Sequence, residues 1–272
     1  MPSQVRGDHV SDQTLSGKTA LVTGASSGLG VDFARELAAR GAKLVLVARR
    51  EDLLQQVQSE IKQKHNVDVT IVTLDLGTPN APQALHDLLK KQNVQVDVLI
   101  NNAGFGVFGQ DLDISWERTN QMLQLDIVTL THMTKLFARD MVKRGFGYIM
   151  QIASIGAYQP SPTYAAYSAA KSYVLSYGEA LSYELKGTGV SCTVVSPGVT
   201  ATEFLQVSGQ KPTAYQRMFM MTSAEVARIG VQAMLKRRIS IITGFMNWLL
   251  AMSVRFTPKP LVLLFADRAM RN

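Results

Sequence analysis

The chain has 272 residues, 46% of them hydrophobic and 18% charged, enough to bury the core of one large domain. Its formal charge of +7 would suit an anionic partner, yet the basic residues are dispersed apart from Lys236-Arg237-Arg238 and no recognition motif accompanies them, which argues against nucleic acid. A single cysteine, Cys192, excludes an internal disulfide framework, and His9, His65, His86 and His132 lack zinc-site spacing, so no metal is expected.

Met1 to about Leu15 is polar and has no apolar signal core; it reads as a loose tail, and the lone cysteine fits a reducing, cytoplasmic setting. From Lys18 onward, short β-branched runs alternate with amphipathic ones. Thr19 to Val22 reads as a strand, Gly28 to Arg40 as a helix, Lys43 to Val47 as a strand and Glu51 to Lys64 as a helix. A strand at Val67 to Leu74, a helix near Pro82 to Gln92 and a strand at Val96 to Ile100 follow. A long helix is expected from about Ser115 to Arg144, then a strand from Tyr148 to Ala153. The helix carrying Tyr167, the strand carrying Cys192, a helix over Ala224 to Lys236 and a strand at Ile239 to Ile242 complete the series. Such alternation predicts an α/β fold, a single Rossmann-type doubly wound parallel sheet over residues 16–244 with a C-terminal helical extension at 245–272.

Doubly wound sheets bind ligands beyond the carboxyl ends of their strands, and each strand end here carries something suited to that. After the first comes Thr23-Gly24-Ala25-Ser26-Ser27-Gly28-Leu29-Gly30, which would either let the backbone approach a pyrophosphate at a helix N-terminus or serve only as a tight turn. The second ends Ala48-Arg49-Arg50 without the acidic residue that binds free ribose hydroxyls. Arg49, with Arg50, would hold a 2′-phosphate and make NADP (NADPH) the cofactor, unless both are solvated helix-start arginines. The third ends Leu74-Asp75-Leu76, where Asp75 would bind the adenine amine or cap the next segment. Asn101-Asn102-Ala103-Gly104 either lets the cofactor pass or is a plain loop. Pro197-Gly198-Val199-Thr200-Ala201-Thr202 either seats the nicotinamide amide and phosphates or ends a strand.

Tyr164-Ala165-Ala166-Tyr167-Ser168-Ala169-Ala170-Lys171 carries the chemistry. Tyr167 and Lys171 lie one helical turn apart, so the ammonium would favour the phenolate and bring the phenol toward neutral pH as an acid or base. Ser154, at a strand's carboxyl end, would hold the same substrate oxygen. Tyr158, Tyr164 and Tyr173 are rival phenols, but none has a lysine four residues later.

With these residues assembled, the chain resembles a short-chain dehydrogenase/reductase from about Leu15 to Thr202 and more loosely to Thr243. The resemblance rests on Thr23 to Gly30, Asn101 to Gly104, Ser154, Tyr167 with Lys171, and Pro197-Gly198. It implies hydride transfer between a nicotinamide cofactor and a carbonyl or alcohol, with Ser154 orienting the oxygen, Tyr167 supplying its proton and Lys171 also binding the nicotinamide ribose. It implies too a homodimer or homotetramer pairing long helices. One position departs from the pattern: where the family often has a catalytic asparagine, this chain has Asp126, whose charge would hold Lys171 protonated and alter the pH dependence. A cofactor-binding sensor or scaffold with weakened catalysis is the rival reading.

The segment from Glu203 to Thr222, with Phe204, Leu205, Tyr215, Met218, Phe219, Met220 and Met221, reads as an adaptable apolar lid or as simple packing. Phe105, Val107, Phe108 and Tyr158 would extend its wall, giving an apolar or acyl-type carbonyl as the expected substrate. The apolar runs after Gly244 are too short to span a bilayer; flanked by Arg255, Lys259, Arg268 and Arg271, they would pack across a subunit interface or lie on a membrane surface as a peripheral contact.

Overall fold

Uninterrupted runs such as Leu44-Val45-Leu46-Val47 and Val98-Leu99-Ile100 suit only strands covered on both faces, and the chain buries them so. The computed structural model describes residues 14–201, 203–210 and 220–270. Its strands are β1 (Thr19–Thr23), β2 (Lys43–Ala48), β3 (Val69–Thr73), β4 (Val98–Asn101), β5 (Gly147–Ile152), β6 (Val190–Ser196), β7 (Thr200–Ala201), β8 (Met221–Thr222) and β9 (Ser240–Ile242). Its helices are α1 (Gly28–Ala39), α2 (Glu51–His65), α3 (Ala81–Lys91), α4 (Trp116–Leu123), α5 (Leu130–Arg144), α6 (Ala165–Glu184), α7 (Phe204–Ser208), α8 (Ser223–Leu235), α9 (Phe245–Ser253) and α10 (Lys259–Met270).

Seven strands form one parallel sheet in the order β3-β2-β1-β4-β5-β6-β9. This is the doubly wound α/β fold expected from the sequence. The order reverses between β1 and β4, and the crevice beyond their carboxyl ends is where such sheets take a ligand. One face packs α1, α2 and α8 through Phe33, Leu37, Ile61 and Val231; the other packs α3 and α5 through Leu85, Leu89, Phe137 and Met141. β7 pairs with β8, closing the base of the segment between them. Thr222 and Glu225 form a reciprocal capping box that starts α8.

The long helix expected from Ser115 to Arg144 is instead interrupted. Between α4 and α5 the residues Gln124–Thr129 form a π-helical turn. The wider i→i+5 ring accommodates an extra residue and re-aims its side chains. Here it directs Asp126 and Thr129 into the protein, where Thr129 Oγ1 donates to the Leu76 carbonyl at 2.7 Å.

Candidate active site

The turn between β1 and α1 has Gly24 at φ 66° and Gly28 at φ 55°, conformations that favour glycine. Gly30 meets a different demand: a Cβ there would lie 2.2 Å from the Gly24 carbonyl oxygen, so only glycine lets α1 start against the turn. Asn102 clamps the turn to the next strand. Its Nδ2 donates to the Thr23 carbonyl at 2.9 Å, while Thr23 Oγ1 accepts from the Asn102 and Ala103 amides, both at 2.9 Å. Beneath it, Asn101 Nδ2 donates to Thr134 Oγ1 at 2.9 Å and to Gln151 Oε1 at 3.0 Å, a buried network tying β4, β5 and α5.

These strand ends line a cavity of about 690 Å³. Along one arm lie Gly24, Ser26, Ser27, Gly28, Leu29, Arg49, Arg50, Asp75, Leu76, Asn102, Ala103 and Gly104. Along the other lie Ser154, Tyr167, Lys171, Pro197, Gly198, Val199 and Thr200. The wall also includes Phe105 and Phe204. Thr202 and Met218, as well as Tyr215 and Phe219, lie outside the described residues.

Tyr167 and Lys171 share the inner face of α6, and the ammonium sits 5.7 Å from the centroid of the phenol ring. Ser154, at the exit of β5, hydrogen-bonds the Tyr167 hydroxyl and accepts from the Gly156 amide at 3.1 Å. Lys171 Nζ donates to the Ile152 carbonyl at 3.1 Å and meets Asp126 Oδ2 at 2.9 Å. That contact is an ion pair, since Oδ2 receives no well-aligned hydrogen bond; Oδ1 accepts from the Phe105 amide at 3.1 Å. Asp126 is 0% and Lys171 6% exposed, so the pair is dry. Gly104 makes room for it, because a Cβ there would stand 2.8 Å from Asp126 Oδ1.

The electrostatics overturn one expectation. Lys171 was expected to lower the phenol's pKa. Instead burial pushes Tyr167 well above the ordinary tyrosine value, the Asp126 charge adds to the rise, and only the Ser154 hydrogen bond opposes it. With its ammonium neutralised by a carboxylate at 2.9 Å, the lysine presents little net field to the hydroxyl. Asp126 itself is raised by burial, against the pull of Lys171 and the Phe105 amide.

The family model for short chain dehydrogenase matches residues 18–213. The chain belongs to the short chain dehydrogenase family. It is therefore an oxidoreductase built around a nicotinamide cofactor. It is 29% identical over 246 residues to the very-long-chain 3-oxoacyl-CoA reductase of Anas platyrhynchos, covering 85% of this chain and 74% of that one. It is 31% identical over 231 residues to the ketoacyl reductase HetN of Nostoc sp., covering 85% and 80%. The chain spans 63% of the length of the mouse and human very-long-chain 3-oxoacyl-CoA reductases that it matches. Among solved structures, the short-chain dehydrogenase from Sphingobium yanoikuyae in complex with NADPH superimposes with a TM-score of 0.78 at 28% identity, covering 88% of this chain and 94% of that one.

Three residues expected in the wall of this dehydrogenase's cavity, Val107, Phe108 and Tyr158, do not line it. Tyr158 lines a second cavity, its hydroxyl 3.4 Å from Ser196 Oγ, because the 3-10 turn Ile155–Tyr158 rotates it away. Phe108 packs behind Tyr164, ring centroids 5.3 Å apart, and does not reach the cavity surface. The wall is built instead by residues without a sequence signal for the role. Tyr164, considered only as a rival acid, hydrogen-bonds Ser208 at 2.9 Å and Gln210 at 3.0 Å, and burial pushes its pKa up to about 12. Gln210 Nε2 donates to the Met270 carbonyl at 3.1 Å, bringing the end of α10 to the same cavity. Glu203 reaches back over the mouth to Arg50 at 3.1 Å and accepts from Ser27; the arginine holds its carboxyl below the usual range. Arg118 lies over the Phe105 ring, 4.3 Å from its centroid. Cys192 is buried in β6, and burial pushes its thiol up to about 12, as befits a core residue rather than a nucleophile.

Proposed function

We propose that this short chain dehydrogenase is an NADPH-dependent reductase of an apolar or acyl-type ketone. The observation that carries the reading is one cavity joining the glycine-rich turn and Arg49 at one end to Ser154, Tyr167 and Lys171 at the other. The residues fit the cofactor. The α1 N-terminus and its glycines would take the pyrophosphate, Asp75 the adenine amine, and Lys171 the nicotinamide ribose. Arg50 is engaged by Glu203, whereas Arg49 has no ion-pair partner among the described residues, which supports Arg49 as the group for a 2′-phosphate. Phe204 beside Tyr167, ring centroids 5.4 Å apart, and Phe105 favour an apolar substituent on the substrate, in keeping with the ketoacyl reductases among the relatives.

NADPH, when bound, supplies the hydride for the carbonyl carbon. Ser154 Oγ would orient the carbonyl oxygen, and Tyr167 would give that oxygen its hydroxyl proton as charge develops there. The resulting phenolate then regains a proton from solvent beside the Lys171 ammonium. Burial and the Asp126 charge hold the phenol in its protonated form, the form from which it would donate to a carbonyl oxygen.

For the cofactor, Arg49→Ala is expected to reduce kcat/KM for NADPH by roughly 10- to 100-fold, since charge-assisted hydrogen bonds contribute about 1.5–3 kcal/mol. The NADH value should scarcely change. Equal losses with both cofactors would remove the 2′-phosphate role.

A further inference from the structure

The two C-terminal helices are built inside out. In α9 the buried stripe is Asn247 and Ala251, and in α10 it is Val262 and Ala266. Asn247 is fixed there by donating from Nδ2 to the Thr243 carbonyl at 2.8 Å, and it packs where a Cβ on Gly198 would otherwise stand. The bulky apolar side chains face outward: Phe245 is 73% exposed, Phe265 60% and Trp248 46%, with Phe256 between the helices at 87%. A surface helix of a soluble domain shows the reverse distribution. Soluble monomers rarely leave more than a few hundred Å² of contiguous apolar surface bare.

Charge decides what such a surface fits. Across residues 245–270 the basic residues are Arg255, Lys259 and Arg268, all exposed, and the only acidic residue is Asp267. Trp248 and Phe245, stacked with centroids 6.0 Å apart, share a cavity of about 490 Å³ with Arg255 and Arg238, against which Glu179, accepting from Ser240 Oγ at 2.7 Å, is the one acidic group in the lining. Aromatic rings beside arginines are the arrangement that seats at the headgroup level of a bilayer. A second copy is disfavoured by the same charges, because a twofold interface sets a patch against itself and would bring like charges together. Among the described residues no helix is long and apolar enough to cross a membrane. An apolar helical face with basic flanks therefore lies along the surface instead.

We propose that α9 and α10 form a monotopic docking surface for an anionic lipid bilayer, with Phe245, Trp248, Phe256 and Phe265 entering the headgroup boundary and Arg255, Lys259 and Arg238 meeting lipid phosphates. The surface adjoins the substrate cleft through Met270, the last residue of α10, which lines the cavity containing Tyr167. An apolar ketone dissolved in the same bilayer would thus be concentrated beside the enzyme.

Flotation of the full chain with vesicles tests this. With phosphatidylcholine and phosphatidylserine at about a 2:1 ratio the chain should float, with phosphatidylcholine alone it should float far less, and high salt should weaken the anionic binding by at least about tenfold. A Trp248→Glu/Phe265→Glu variant should lose flotation while keeping NADPH affinity and its circular dichroism, which shows the fold intact. Arg255→Glu/Lys259→Glu should lose the preference for phosphatidylserine while retaining NADPH affinity. Absence of flotation in the native chain would overturn the proposal, as would unchanged flotation in the folded double-glutamate variant. A concentration-dependent dimer that Trp248→Glu/Phe265→Glu dissociates, without vesicle binding by the native chain, would assign the face to a second copy instead.

Discussion

Tyr167→Phe is expected to lower ketone turnover by about 10²- to 10⁴-fold, the range that a positioned general acid contributes. Phenylalanine keeps the ring between Tyr164 and Phe204, whose centroids lie 5.6 and 5.4 Å from that of Tyr167, so the cavity wall and the fold should survive. Only the hydroxyl that Ser154 hydrogen-bonds is removed. The loss should fall on kcat, with the affinity for NADPH held within a few-fold, because the proton is needed in the transition state and not in cofactor binding. Fluorescence titration of NADPH alongside steady-state kinetics separates the two. A variant that loses both in equal measure would point to a disturbed cavity and not to lost acid catalysis.

The second large effect lies at Asp126. Removing its charge with Asp126→Asn takes away the negative charge that, next to burial, raises the phenol's pKa, and it frees the Lys171 ammonium to favour the phenolate. Tyr167's pKa must therefore fall. Alcohol oxidation needs the phenolate as base and rises with pH, so its rising limb should move to lower pH and the rate at pH 7 should increase. Reduction needs the protonated phenol and falls as pH rises, so its falling limb should move in the same direction. Asparagine retains an acceptor for the Phe105 amide, which limits the structural cost. Asp126→Leu does not. It strands Lys171 in a dry site and should cost about 3–5 kcal/mol of stability, measurable as a lowered denaturation midpoint. Identical pH profiles for the native chain and Asp126→Asn would show that the carboxylate does not act on Tyr167.

The fold was legible because β-branched runs such as Lys43–Ala48 have no alternative to a covered strand, and their alternation with helices leaves few topologies. The positions of Ser154, Tyr167 and Lys171 were legible for a local reason: strand end and helical turn fix where their side chains point. What escaped depended on hydrogen-bond register or on distance. The π-helical turn that aims Asp126 inward has the same hydrophobic pattern as a continuous α-helix, so periodicity cannot reveal it. The Arg50–Glu203 bridge joins residues 153 apart and, among the described residues, leaves Arg49 without an ion-pair partner in a doublet that sequence alone treats alike. Tyr158 and Tyr164 are both tyrosines near Ser154, but one turn of 3-10 helix sends them to different cavities. The Asp126 charge beside Lys171 was legible as a departure from the family pattern, but the spacing of Tyr167 and Lys171 says nothing of the burial that chiefly raises the phenol's pKa.

The central question is whether the buried phenol delivers a proton beside a dinucleotide that is consumed. Following NADPH absorbance with a panel of apolar and 3-oxoacyl ketones measures this directly. The native chain should oxidise NADPH and form one equivalent of alcohol on at least one member of the panel. Saturable NADPH binding with no consumption on any of them would contradict the account and leave a protein that holds its cofactor without using it.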